Sequence, residues 1–220
     1  MRITKIESQK KNPSRKNLFV DDGFLIGVSA ETLLRFGIRT GDEIGEDKLK
    51  ALRAAEELQG AKSVALRFLS RRQRTEKEIR DKLREKEFAE EEIQQTIENL
   101  RELGFLNDAE FARSYIRHQM AVRPKGTLAL KQNLLLLGVK REIIDAALDE
   151  TFKETSQEEA ALDAARKFLR KSRKPTDDPR KTRLKLAAFL GRRGFTWDVV
   201  STVTKNILGH DPSGEKAIDE

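Results

Sequence analysis

An internal repeat constrains this chain more than any other feature of its sequence. Begin with Ile79, Leu83, Phe88, Ile93, Ile97 and Leu100. A shift of 51 residues lands on Leu130, Leu134, Val139, Ile144, Leu148 and Thr151, and a shift of 107 on Leu186, Leu190, Phe195, Val200, Thr204 and Ile207. Apolar side chains survive at nearly every position. Steps of three and four residues trace one face of a helix, and the five-residue step in each set predicts a tight turn between two helices. Gly138 and Gly194 fall at matching places in that turn, where Glu87 stands in the first copy. A further helix precedes each pair, over about 61–73, 108–122 and 158–172. Each unit is then three helices in roughly fifty residues. One such unit buries little apolar surface by itself, so stacked units are expected to share a continuous, extended core.

Local signals agree. Thr75-Glu76-Lys77-Glu78, Asn107-Asp108-Ala109-Glu110 and the stretch from Ser156 to Glu159 have capping-box spacing. In the second, Asn107 can accept from free helix amides and Glu110 can reach back. Gly104 sits where a helix C-cap is needed.

The first fifth of the chain differs. Residues 2–7 alternate polar and apolar. Two apolar runs, Asn17-Leu18-Phe19-Val20 and Phe24-Leu25-Ile26-Gly27-Val28, flank Asp21-Asp22-Gly23, a hairpin signal because the turn needs positive φ at its centre. Three short antiparallel strands follow, with a basic, flexible loop over 10–16. Ser29 reads as the N-cap of a short helix carrying Glu31 in its first turn, with Leu33, Leu34 and Phe36 behind it and Gly37 as its stop. Gly41 and Gly45 mark a turn before a helix from about Glu46.

The expected fold is mainly α: a small N-terminal β-hairpin/helix domain followed by three tandem three-helix repeats. The expected boundaries are 1–45 for the N-terminal domain, 46–60 for a connecting helix, 61–107, 108–155 and 156–208 for the repeats, and 209–220 for a disordered tail.

Composition narrows the chemistry. The 220 residues contain no Cys, which excludes a disulfide scaffold, a thiolate metal site and a Cys nucleophile. With only His118 and His210, a His-rich metal site is not expected, and neither reads as a catalytic base. There is no G-x-x-x-x-G-K-[ST] phosphate loop, and the carboxylates follow helix faces and caps. No enzyme, cofactor or metal is therefore expected. No apolar run approaches the ~18 residues of a membrane span, and the N-terminus lacks a signal-peptide core, so a soluble cytoplasmic protein without membrane contact is expected.

Lys and Arg number 44 against 37 Asp and Glu, a net charge of +7 that is unevenly placed. Residues 166–193 hold twelve basic residues against two acidic, a local net of +10, whereas residues 85–110 have a local net of −7. Arg67, Arg71 and Arg74 are spaced as one helical face. Adding 100 gives Lys167, Lys171 and Lys174, and the same shift maps Ala65, Phe68 and Leu69 onto Ala165, Phe168 and Leu169. In the second repeat Arg113, Arg117 and Arg123 are less regular. The candidate docking residues are Arg67, Arg71, Arg74, Arg166, Lys167, Arg170, Lys171, Arg173, Lys174, Arg180, Lys181, Arg183, Arg192 and Arg193. Acidic partners, nucleic acid above all, suit such a surface; the competing reading is that long basic side chains merely solvate helices. Tyr115 and Trp197 read as packed rather than base-stacking.

The run Glu78-Ile79-Arg80-Asp81-Lys82-Leu83-Arg84-Glu85-Lys86, followed by Leu103-Gly104-Phe105-Leu106-Asn107-Asp108-Ala109-Glu110-Phe111-Ala112, resembles the RecX family, bacterial regulators of the RecA recombinase. Ile3-Thr4-Lys5-Ile6, Asp21-Asp22-Gly23 and Leu34-Arg35-Phe36-Gly37-Ile38 resemble its longer members, which carry an extra N-terminal domain. The resemblance covers about residues 1–208. Pro124-Lys125-Gly126-Thr127 departs from the family's frequent Gly-Pro pair, and the loop from Lys174 to Asp178 is longer. The resemblance implies a curved array of three tandem three-helix repeats lying in the groove of the RecA filament on DNA. There it would modulate, mostly inhibit, filament growth, ATP hydrolysis and strand exchange, with consequences for homologous recombination, DNA repair and the SOS response. The basic stripes would then line one concave surface. Non-specific single-stranded DNA contact is an accessory expectation, and the chain is taken as a monomer. The alternative is a helix-turn-helix-like DNA-binding regulator. Against it, the last helix of repeat one opens Glu90-Glu91-Glu92, and a strongly anionic helix cannot read a DNA groove.

Overall fold

The computed structural model describes residues 1–21, 23–154, 156–171 and 178–209; side chains at 154 and 171 also lie outside the description. Asp22, Arg173, Lys174, His210 and nearly all of the expected tail are therefore outside it.

The N-terminal domain is a three-stranded antiparallel meander, β1 (Ile3–Ser8), β2 (Arg15–Val20) and β3 (Gly23–Ser29), followed by α1 (Ala30–Arg35). Gly23 pairs with Val20, so the positive φ required by the turn falls on Asp21 at 44°, and Gly23 is already strand. Asp tolerates that conformation because its short polar side chain bonds locally. β2 begins at Arg15, so Arg15 and Lys16 belong to the sheet and not to the loop. The chain at 41–44 runs back along β1: Ile3 N donates to Asp42 O and Gly41 N to Ile3 O, both at 2.8 Å. This covers an otherwise open sheet edge. Ser29 caps α1 by accepting from Thr32 N, and Gly37 at φ 60° ends it. Leu34 faces outward, 83% exposed, and Thr32 takes the buried place. On so short a helix one face cannot hold Leu33, Leu34 and Phe36 together.

α2 (Glu46–Leu69) is one continuous helix of 24 residues through both the connecting segment and the first helix of repeat one. Gly60 lies within it, and a Cβ there would sit 3.4 Å from the Phe88 ring. Glu56 fastens α2 to the sheet: its carboxylate accepts from Ser29 N at 2.8 Å and pairs with Arg15 at 2.7 Å. Then come α3 (Glu76–Glu85), α4 (Glu90–Glu102), α5 (Asp108–Val122), α6 (Thr127–Leu136), α7 (Arg141–Glu154), α8 (Gln157–Lys171), α9 (Pro179–Arg192) and α10 (Trp197–Leu208).

The repeat positions are the core positions. Ile79, Leu83, Ile93 and Ile97, then Leu130, Leu134 and Ile144, then Leu186 and Leu190 are all 0% exposed. The three helix turns adopt positive φ at Glu87 (61°), Gly138 (84°) and Gly194 (80°), as their alignment requires. One expectation changes. Instead of one extended core there are four apolar clusters among the described residues, one in the N-terminal domain and one in each repeat. Three helices close around each set of repeat positions, and Met120 alone packs against the clusters of both the second and third repeats.

Asn107 caps α5, accepting from Ala109 N and Glu110 N at 3.0 Å. Glu110 does not reach back. Its carboxylate accepts from Arg113 and Arg117, stronger donors than a neutral amide. The chain divides into two compact units, Met1–Arg74 with Glu78–Leu106, and Thr75–Lys77 with the chain from Asn107 onward.

Candidate partner-binding surface

In the second unit, close backbone contact brings cations together. Gly126 N donates to Arg193 O at 2.9 Å and Leu128 N to Gly194 O at 3.1 Å. A Cβ on Gly126 would lie 2.1 Å from Gly194 O, and one on Gly194 would lie 2.3 Å from Ala129 N, so both positions require glycine. The start of α6 thus rests directly on the turn between α9 and α10. The same joint occurs one repeat earlier: Thr75 Oγ1 donates to Leu137 O at 2.7 Å, and a Cβ on Gly138 would meet Lys77 Cβ at 2.4 Å. Glu76 N also donates to Asp108 Oδ1 there.

The α6 joint places Arg123, at the end of α5, beside Arg193. Together with Val122, Pro124, Lys167, Phe168, Arg170 and Phe189 they line a cavity of about 380 Å³. Phe168 and Phe189 stack at 4.4 Å, and the Arg193 guanidinium lies over Phe189 at 4.9 Å while donating to Pro124 O at 3.1 Å. Burial, and then the Arg123 charge, push the Arg193 pKa down. Lys167 is paired with Asp163 at 2.7 Å. Among the described residues no carboxylate pairs with Arg123, Arg170 or Arg193.

The remaining basic candidates spread over this unit. Arg166 is exposed on α8 and Arg192 on the last turn of α9. Arg180 and Lys181 stand at the opposite end of α9, about 20 Å away at 1.5 Å per residue, where Asp178 caps the helix and Lys181 lies 3.8 Å from its carboxylate. Arg183 donates to Gly209 O at 2.7 Å and, with Lys205, flanks a second notch lined by Leu184 and Trp197. Trp197 is 75% exposed and Leu184 70% exposed. Trp197 is thus not packed: it opens α10 at the rim of that notch, which Val200, the repeat's core position, also lines. Tyr115 is packed, stacked on Phe111 at 6.2 Å and set against the core of repeat two.

The first unit places its candidates differently. α2 ends at Leu69, so Arg71 and Arg74 lie beyond the helix and Arg67, Arg71 and Arg74 share no helical face. Arg67 and Arg71 are exposed. Arg74 turns inward, pairing with Glu78 at 3.1 Å and covering Phe68 at 3.9 Å. The core half of the 100-residue correspondence holds, since Ala65 and Ala165 are buried and Phe68 and Phe168 pack on their own clusters. The acidic stretch is partly structural. Glu90 opens α4, where the helix dipole favours negative charge, and its hydrogen bond to Arg84 holds its pKa below the ordinary glutamate value, with Arg80 also paired to it.

Arg123 was not singled out as a site residue from sequence, because its spacing fits no stripe. The departure at Pro124-Lys125-Gly126-Thr127 was the available signal. His118 is exposed on α5. Among the described residues no cluster of His, Asp and Glu could hold a metal, and no helix is long and apolar enough to cross a membrane.

Fold and surface together define a helical-repeat protein with clustered exposed cations. The comparisons give that class its family. Family models match as the "Regulatory protein RecX N-terminal domain" over 1–45 and as the first, second and third three-helix domains of RecX over 61–100, 107–148 and 156–204. The regulatory protein RecX of Clostridium beijerinckii is 34% identical over 96% of this chain and 97% of its own length. That of Bacillus subtilis is 34% identical over 93% of this chain and 76% of its own. A crystal structure of regulatory protein RecX matches with a TM-score of 0.74 at 30% identity, covering 93% of this chain and 98% of the other. The RecX of Lactobacillus salivarius matches at 0.62 and 30%, covering 69% and 97%. The chain belongs to the RecX family of regulatory proteins, and its role is that of a regulator.

Proposed function

We propose that this chain binds the RecA recombinase filament on DNA and restrains filament growth, ATP hydrolysis and strand exchange, without turning over a substrate. Family membership supports the partner, and the observation that carries the mode of binding is that Arg123, Arg166, Arg170, Arg192 and Arg193 have no carboxylate partner among the described residues. Like charges held together in one fold favour an anionic surface by attraction and counterion release. Arg67, Arg71, Arg166, Lys167, Arg170, Arg180, Lys181, Arg183, Arg192 and Arg193 are the proposed contacts, whereas Arg74 is engaged with Glu78 and Phe68. The repeats act as separate contact modules on successive filament subunits, so that bridging hinders their motion. The protein works as a cytoplasmic monomer, with non-specific single-strand contact as an accessory. The test is the DNA-dependent ATPase of the recombinase, titrated with this protein. A fall at stoichiometric amounts is expected. No change, together with tight binding to a specific duplex, would instead establish a sequence-specific DNA regulator.

A further inference from the structure

The cavity between α5, α8 and α9 has a composition that docking on an extended surface does not require. Its apolar lining comes from Phe168, Phe189, Val122 and Pro124. Its charged wall holds Arg123, Arg170 and Arg193 with no carboxylate among the described residues to balance them. Arg123 and Arg193 line the same cavity as like charges, and they repel one another there. Such a pair is relieved most by a ligand bearing two negative charges on one centre. A side-chain carboxylate supplies one charge, whereas a phosphate monoester carries about −1.5 to −2 at neutral pH and accepts fork-like bonds from guanidinium groups. The volume of about 380 Å³ lies within the range of small-molecule sites, well above what a bare phosphate needs.

We propose that this cavity binds a phosphate monoester with a flat or apolar organic part, of the size of a mononucleotide. The phosphoryl group sits between Arg123 and Arg193 with Arg170 at the mouth, and the organic part lies on Phe168 and Val122. A free nucleotide and the 5′-phosphorylated end of a nucleic-acid strand share this chemistry. No hydrolysis is implied, and the inference stands apart from the filament reading.

The full chain is titrated calorimetrically, at fixed ionic strength, with adenosine 5′-monophosphate, adenosine and inorganic phosphate. The monophosphate is expected to bind at least tenfold more tightly than either of the others. R123Q/R170Q, both exposed positions, should lose at least tenfold in that affinity with an unchanged melting temperature; R193K should retain part of it. Short strands with a 5′-phosphate or a 5′-hydroxyl then identify the source. A gain with the phosphate marks a strand end, and no gain beside tight monophosphate binding marks a free nucleotide; either supports the site. Equal binding of adenosine, equal binding of inorganic phosphate, or unchanged binding by the double variant would overturn it. So would a diglutamate peptide that competes as well as the monophosphate, since that describes an acidic-peptide groove.

Discussion

Glu87 holds a backbone conformation that its two counterparts assign to glycine. It stands at φ 61°, where Gly138 and Gly194 have 84° and 80°. The left-handed region costs a non-glycine residue roughly 1–2 kcal/mol, part of which glycine's greater unfolded freedom takes back. Glu87→Gly is therefore expected to raise stability by about 0.5 kcal/mol in urea unfolding. Gly194→Ala should lower it by about 1–3 kcal/mol or more, because strain adds to a clash with the start of α6. Trp197 gives the converse case. Exposed as it is, Trp197→Ala should change stability by less than about 0.5 kcal/mol, whereas truncating a packed Trp costs about 3–5 kcal/mol. Equal melting curves of the two proteins would bear this out.

At the scale of elements, ends and joints decide more than helix interiors. The junction of α2 with β3 depends on Glu56, which is 8% exposed. Glu56→Ala leaves Ser29 N without its acceptor and Arg15 without its charge partner, at an expected cost of about 1–3 kcal/mol. Hydrogen exchange in β3 and α1 would show the loss first. On α5, the hydrogen bond from Arg113 holds the Glu110 pKa below the ordinary glutamate value. The resulting stabilisation is fully present above the unfolded-state pKa and is lost as pH falls through the lowered folded-state value. Carboxyl NMR titration should show Glu110 with a low midpoint that Arg113→Ala returns toward the ordinary value.

For the whole molecule, net charge matters less than where balancing carboxylates are missing. Pairs such as Lys131–Asp145 and Arg15–Glu56 are locally neutral and add nothing to the chain's +7. Arg166 and Arg170 on α8 and Arg192 on α9 have no carboxylate partner among the described residues. Under the proposed docking on the recombinase filament, reversing Arg166, Arg170 and Arg192 to Glu is expected to weaken binding by at least tenfold and flatten its salt dependence by several units of slope, as three lost phosphate contacts would. Anisotropy of labelled filaments over a salt series measures both.

The sequence by itself determined the repeat, its core positions, its three turns, the N-terminal meander and the family. The family rests on the resemblance of particular motifs, and the rest on short-range periodicity, which the helix and strand repeats convert directly into faces. Asn107 as a cap and Ser29 as another were legible for the same reason. Tertiary structure alone decided where α2 stops, that each repeat closes its own core, that Leu34 and Trp197 face outward, and that Arg74 turns in over Phe68 while Arg123 meets Arg193. The last of these joins residues 70 positions apart through a contact only two glycines permit. Helical spacing fixes which side a residue faces within its own element, but not which distant residue lies opposite, because that depends on how backbones approach once the cores have closed.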